Sequence, residues 1–184
     1  MKNKRNIVVI DLETTGLLEP LGTDLRLQPH VTEVYSAQID PETDEIIKEV
    51  DTLIKPPIPI PSHITKITGI NDDMVKGSPS FVEAYKEIIE VFFGSWEMVA
   101  ANLNFDQTVL IHELERIGKE YHFPYSPSKF CVIEQSMHLK GYRLKNSELY
   151  TMATGKILEG AHRAKTDALE GTYEVYKWLR RGGI

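Results

Sequence analysis

Apolar and polar positions change period several times along the chain, and each change marks an element. Ile7-Val8-Val9-Ile10 is an unbroken β-rich run, the pattern of a central strand covered on both faces. Residues 31–39 and 46–54 predict two more strands. They are joined through Asp40-Pro41-Glu42-Thr43-Asp44, a turn-rich connection suited to a hairpin. Pro56-Pro57-Ile58-Pro59-Ile60-Pro61 closes that region, because proline cannot donate to a ladder and excludes a central strand. The period then lengthens. Ser80-Phe81-Val82-Glu83 has the form of a capping box, and Ala84, Ile88, Val91 and Phe92 follow at helical spacing until Gly94. Residues 97–101 predict a short buried strand, and 105–117 a helix with Asn104 as its N-cap and Gly118 at its end. A last strand is expected at 129–132, a short helix at 146–154 stopped by Gly155, and a final helix at 163–181 ending in Gly182-Gly183.

This alternation predicts an α/β fold, and 184 residues without a repeat or linker predict one domain over 1–184. Composition adds little: 41% hydrophobic and 26% charged residues are ordinary for a globular chain. Cys131 is the only cysteine, so no intrachain disulfide can form, which fits a reducing compartment. The basic start, Met1-Lys2-Asn3-Lys4-Arg5-Asn6, leads into only four apolar residues before Asp11, too short for a signal peptide or a membrane span. A cytoplasmic protein without membrane contact is expected. The net charge of −6 argues against bulk electrostatic binding to nucleic acid, but leaves room for a metal site that reverses the field locally.

Acidic residues carry the chemistry. Asp11 and Glu13 stand two apart at the end of a buried strand, so both project to one face, roughly 7 Å apart along it. Buried acids are costly unless something offsets them, and a divalent cation is the usual compensation. A pair at this spacing can hold two ions roughly 3.5–4 Å apart for in-line phosphoryl displacement. Alone, Asp-x-Glu is more often a solvated strand end. Thr14, Thr15 and Gly16 then turn the chain and bring backbone groups toward a substrate terminus. Asp106 opens a helix, where it either complements the helix dipole or joins a metal site, and Phe105 beside it is core or a base-stacking surface. His162 reads as a loop residue with Asp167 one turn into the next helix, on which Ala164, Ala168 and Gly171 form a small-residue face for close packing on the sheet. Neutral histidine suits a general base near neutral pH. No second histidine or cysteine lies at ligand spacing, which argues against zinc.

The order of these pieces is more specific than any of them. Asp11-Leu12-Glu13-Thr14-Thr15-Gly16, then Asn102-Leu103-Asn104-Phe105-Asp106, then His162 five residues before Asp167, resembles the DnaQ-like 3′–5′ exonucleases of the Asp-Glu-Asp-Asp-His class. The resemblance covers nearly the whole chain and includes Ile67-Thr68-Gly69-Ile70-Asn71. The sister class has tyrosine four residues before the final aspartate; that position here is Arg163. The resemblance implies a ribonuclease-H-like fold, a five-stranded mixed sheet flanked by helices with its second strand antiparallel. It implies that Asp11, Glu13, Asp106 and Asp167 bind two Mg²⁺ or Mn²⁺ ions, and that His162 deprotonates the attacking water. Thr14, Thr15, Gly16, Thr68, Asn102 and Phe105 would contact substrate. DNA is expected over RNA, with a DNA polymerase or replication protein as a candidate partner.

Departures bear on this expectation. Ala101-Asn102 stands where the family often has His-Asn, and residues 17–30 form a longer segment before the second strand, either an entrance to the site or a surface insertion. No polymerase-binding tail follows Ile184, which predicts a freestanding or loosely associated nuclease. Lys140-Gly141-Tyr142-Arg143-Leu144-Lys145 is basic enough to track a phosphate backbone, helped by Lys2, Lys4 and Arg5, or is simply a solubilising loop. The competing readings are an exoribonuclease, a phosphomonoesterase, and a non-catalytic nucleic-acid-binding module. Glu13 stands where a phosphatase needs a second aspartate, and a decayed binding module should lack one of the four acids.

Overall fold

In the computed structural model the described residues are 5–160 and 162–182. Met1, Lys2, Asn3, Lys4, Gly183 and Ile184, which entered the expectations above, lie outside them. Five strands, β1 (Ile7–Thr14), β2 (Val31–Asp40), β3 (Glu45–Leu53), β4 (Glu97–Ala100) and β5 (Ser128–Cys131), form one sheet in the order β3-β2-β1-β4-β5. β2 runs antiparallel to β1 and β3, whereas β4 and β5 are parallel to β1. This is the ribonuclease-H-like sheet that the resemblance implied. The helices are α1 (Ser62–Thr68), α2 (Asp72–Val75), α3 (Phe81–Phe92), α4 (Leu103–Arg116), α5 (Val132–Gln135), α6 (Met137–Lys140), α7 (Asn146–Thr154) and α8 (Glu174–Arg180).

The two-residue period of β1 divides the core and aims the acids. Val8, Ile10 and Leu12 face one layer, packed under Phe81, Ile88, Val91 and Phe92 of α3 and Val109, Leu110 and Leu114 of α4. Ile7 and Val9 face the other layer, built from Leu149 of α7, Ala164, Ala168, Tyr173 and Val175. Asp11 and Glu13 continue the odd-numbered face and so emerge beside that second layer. The apolar start of β1 therefore buries both faces, and the acids appear where the strand runs out of cover. α3 starts as expected: the Glu83 carboxylate accepts from the Ser80 N–H at 2.7 Å and the Ser80 hydroxyl at 2.6 Å.

Two helical expectations need correction. α4 begins at Leu103 rather than at 105, with Asn102 and not Asn104 at the N-cap. The earlier start places Asp106 one full turn in, on the inward face, and Asp106 is only 3% exposed. The last helix is not uniform: Thr166–Tyr173 is π-helical, wound with i→i+5 turns, before α8 takes over. Asn146 packs into this wider turn, its amide donating to the Asp167 carbonyl at 3.3 Å and the Thr172 hydroxyl at 3.3 Å. Gly171 allows the approach, since a Cβ there would stand 2.6 Å from Asn146 Nδ2.

The segment before β2 is tied down from α4. Arg116 donates to the carbonyls of Leu25 (2.9 Å), Gln28 (2.9 Å) and Pro29 (3.1 Å). Arg116 also pairs with the buried Glu113 at 3.0 Å, which accepts from the Val31 N–H at 3.0 Å and meets His30 Nδ1 at 3.3 Å. Burial works against the Glu113 charge, but these three donors outweigh it and hold the carboxyl below its ordinary range.

Candidate active site

Four elements converge at the end of β1. β1 supplies Asp11 and Glu13, α4 supplies Asp106, and the π-helical segment supplies Asp167, with His162 in the loop just before it. One carboxylate oxygen from each of Asp11, Glu13 and Asp167 lies within 4.8 Å of the other two. Asp106 is fixed alongside, because its Oδ1 accepts the Leu12 N–H at 3.1 Å. Asp167 Oδ2 accepts the His162 N–H at 2.7 Å, which holds the histidine loop against the acids. A cleft of 560 Å³ opens here, lined by all four acids and His162 together with Asn102, Phe105, Lys145 and Asn146.

The electrostatics fit a cation site. Burial, then repulsion from Asp106, Asp167 and Glu13, raises Asp11 well above the carboxylate range. Glu13 is pushed up to about 7 by burial, then by Asp167 and Glu33, with Arg163 pulling the other way. Burial pushes Asp106 up to about 8 despite its bond from Leu12, and burial also raises Asp167 against the pull of the His162 N–H. These acids share the strain of crowded like charges, which hard divalent cations relieve through oxygen ligands. Three oxygens at this separation are a donor set suited to a hard divalent cation.

The remaining expected residues divide into two groups. Asn102 and Phe105 line the cleft. Asn102 Oδ1 accepts from Arg143 at 3.2 Å, so this arginine of the basic loop reaches the site rim, and exposed Lys145 lines the cleft itself. Arg5 stacks on Trp96, with 4.8 Å from its guanidinium to the ring centre. Thr14, Thr15, Gly16 and Thr68 are not among the lining residues. The Thr14 hydroxyl donates to the Gly16 carbonyl at 2.6 Å, and the Thr15 N–H and hydroxyl are both engaged with His30. The Thr68 hydroxyl is engaged within its own turn, donating to Ile64 and accepting from Ile70.

Three neighbours went unnoticed in the sequence as site residues. Glu33 of β2 lies directly across from Glu13 and is only 2% exposed. Asn146 and Ser147 line the cleft from the start of α7. Glu33 alone carried a signal, as the one charged residue in the run 31–39.

The ribonuclease-H-like sheet gathers four acids and a histidine at the end of its first strand, the arrangement that the resemblance to the Asp-Glu-Asp-Asp-His exonucleases implied. The sequence profile of the RNase_T exonuclease family matches residues 8–176, and the chain belongs to that family. The resemblance read from the motifs is thereby borne out. Among curated relatives, a DNA polymerase III PolC-type protein of Caldanaerobacter subterraneus subsp. tengcongensis is 33% identical over 173 residues, covering 92% of this chain and 11% of the relative. A 3′-5′ exonuclease DinG of Staphylococcus saprophyticus is 33% identical over 165 residues, covering 87% of this chain and 16% of the relative. The chain thus spans only a small part of these proteins. Among solved structures, the nuclease domain of 3′hExo, a DEDDh family member bound to rAMP, shares the fold with a TM-score of 0.75 at 16% identity, covering 98% of this chain and 94% of that one. Exonuclease X in complex with 5′ overhanging duplex DNA has a TM-score of 0.63 at 22% identity, covering 96% and 93% of the two chains. No helix among the described residues is long and apolar enough to cross a membrane.

Proposed function

We propose that the chain, working as one unit over residues 1–184, is a 3′–5′ exonuclease that releases nucleoside 5′-monophosphates from the 3′ end of single-stranded or frayed DNA. The observation that carries this reading is the convergence of Asp11, Glu13 and Asp167 within 4.8 Å in a cleft that His162 also lines. Asp11, Glu13, Asp106 and Asp167 would hold two Mg²⁺ or Mn²⁺ ions. Such ions, when bound, polarise phosphoryl oxygens and lower the pKa of water. His162, exposed at the cleft edge, accepts the proton of the attacking water. Phe105 offers a face to the terminal base, and Lys145 a charge to the phosphate backbone. The bond between phosphorus and the 3′ oxygen then breaks, leaving a shortened chain with a free 3′ hydroxyl.

DNA is favoured over RNA because the relatives at about a third identity are named for DNA synthesis and exonuclease action. A DNA polymerase or replication protein is the partner this suggests. The test is release of labelled nucleotide from single-stranded DNA, single-stranded RNA, and matched and mispaired duplex ends, with Mg²⁺ or Mn²⁺. Asp11→Ala and Asp167→Ala should abolish release, and His162→Ala should cost about 10²–10⁴ in rate while metal binding persists. Undiminished release by either aspartate variant refutes the site; binding without turnover in saturating Mn²⁺ refutes the enzyme reading.

A further inference from the structure

We infer that Glu33 is a positioning residue for His162, acting through Arg163 and the backbone of the loop that carries the histidine. This inference rests on the role of His162 proposed above.

His162 adopts φ 69°, the left-handed region that a residue with a side chain rarely enters without support. Its ring is exposed, and the hydrogen bond that binds the residue is made by its backbone N–H to Asp167. The position of the ring therefore depends on the backbone that carries it. Upstream, Gly160 is also left-handed, at φ 70°. Downstream, the hold comes from one carboxylate. Glu33 Oε1 accepts from Arg163 Nε at 3.0 Å and Nη2 at 2.5 Å, while Oε2 accepts from the Ala164 N–H at 2.9 Å and from Nε at 3.2 Å. Both oxygens are thus committed to the two residues that follow the histidine.

Geometry separates Glu33 from the metal-facing acids, although it is a cross-strand partner of Glu13. It is 2% exposed and does not line the cleft. Its oxygens point into the loop, and Arg163 compensates its charge. Glu33 is the buried partner and the Arg163 side chain is half-exposed, so removing the guanidinium or the Ala164 N–H would leave a buried carboxylate short of donors, and the loop has one preferred seat. β2 is a central strand, paired on both edges, and provides a fixed anchor. A general base gains from such fixing because misplacement by about 1 Å can cost on the order of 10² in rate.

The test compares Glu33→Ala, Glu33→Gln, His162→Ala and the double variant Glu33→Ala/His162→Ala in steady-state hydrolysis of a 3′-labelled single strand with Mn²⁺. Retention of the Mn²⁺-induced rise in melting temperature confirms that each variant is folded and holds metal. Glu33→Ala should lower kcat by about 10–100-fold with little change in KM. Glu33→Gln, which keeps acceptor geometry on one oxygen, should recover part of the loss. In the His162→Ala background, removing Glu33 should have almost no further effect, because the two act on one step. Additive losses, a rise in KM with kcat intact, or wild-type kcat in Glu33→Ala while His162→Ala is slow would overturn the inference and leave the exonuclease reading in place. Wild-type turnover by His162→Ala would overturn the inference together with the general-base role.

Discussion

Replacing Asp11 by asparagine should stabilise the metal-free protein and destabilise the metal-loaded one relative to wild type, reversing their order of melting. Asp11 stands at the centre of the acid cluster: its oxygen, with those of Glu13 and Asp167, lies in a group spanning 4.8 Å. Two like charges at that separation repel by about 0.9 kcal/mol in bulk water and about 3.5 kcal/mol at the effective dielectric of a protein surface. Protonation relieves part of this, since both Asp11 and Glu13 sit above the carboxylate range. A near-isosteric asparagine should therefore recover about 1–3 kcal/mol near pH 8, or about 2–12 °C for a domain of this size. The gain should shrink toward about pH 5, as Glu13 and Asp106, raised to about 7 and about 8, take up protons and the repulsion weakens. With Mn²⁺ at about a hundred times its Kd, wild type gains about 2.7 kcal/mol, and the variant, lacking a central ligand, should gain little. The assay is a pair of thermal melts, in EDTA and in Mn²⁺, at both pH values. A variant that melts below wild type in EDTA by the same margin at both pH values, or that keeps the full Mn²⁺ shift, refutes the view of Asp11 as a strained cation ligand.

Other outcomes follow from the same geometry. The metal-free fold should be most stable under mildly acidic conditions: Glu13 at about 7 and Asp106 at about 8 have folded pKa values above the unfolded ones, so their stabilisation is present at low pH and lost as pH rises through those values. Glu113 has the opposite sign, its stabilisation being lost as pH falls, and urea midpoints across pH without metal measure the resulting maximum. Gly171→Ala forces a Cβ to 2.6 Å from Asn146 Nδ2, and should cost about 1–3 kcal/mol in urea unfolding and weaken Mn²⁺ binding through Asp167. Arg116→Ala removes the donor that three carbonyls of residues 25–29 share and leaves Glu113 short of a partner. A loss of about 2–4 kcal/mol and new protease cleavage within residues 17–30 are expected; an uncleaved segment would show that it is held by other contacts.

The fold was legible because β1 could be read two ways at once. Its apolar run announced a central strand, and the two-residue period carried the same face on to Asp11 and Glu13, so strand and site came from one pattern. The helix at 146–154 was legible in full because Gly155 ends it at φ 72°. Asp106 was harder. Asn102 and Asn104 are both competent caps by residue type, and the bond from the Leu12 N–H to Asp106 goes with the earlier start, a tertiary contact that no local pattern encodes. The π-helical turn was invisible, because it depends on Asn146, distant in sequence, fitting against Gly171. Glu33 was missed for a similar reason. Its partner Arg163 was noticed only as the residue that is not a tyrosine, and a pair 130 positions apart leaves no periodicity to read.

The histidine loop and the acids are held by different amounts of structure. Asp11 and Glu13 ride on a strand paired with β2 over its whole length and with β4 over Ile7–Val9, whereas among the described residues His162 is held by its N–H bond to Asp167 and by the seat of its neighbours against Glu33. Partial opening should accordingly begin at the loop, with the amides of residues 162–164 exchanging with solvent well before those of residues 7–10. Under rising denaturant the protein should then stop turning over substrate while it still retains metal, so that inactivation and metal release trace two separate transitions.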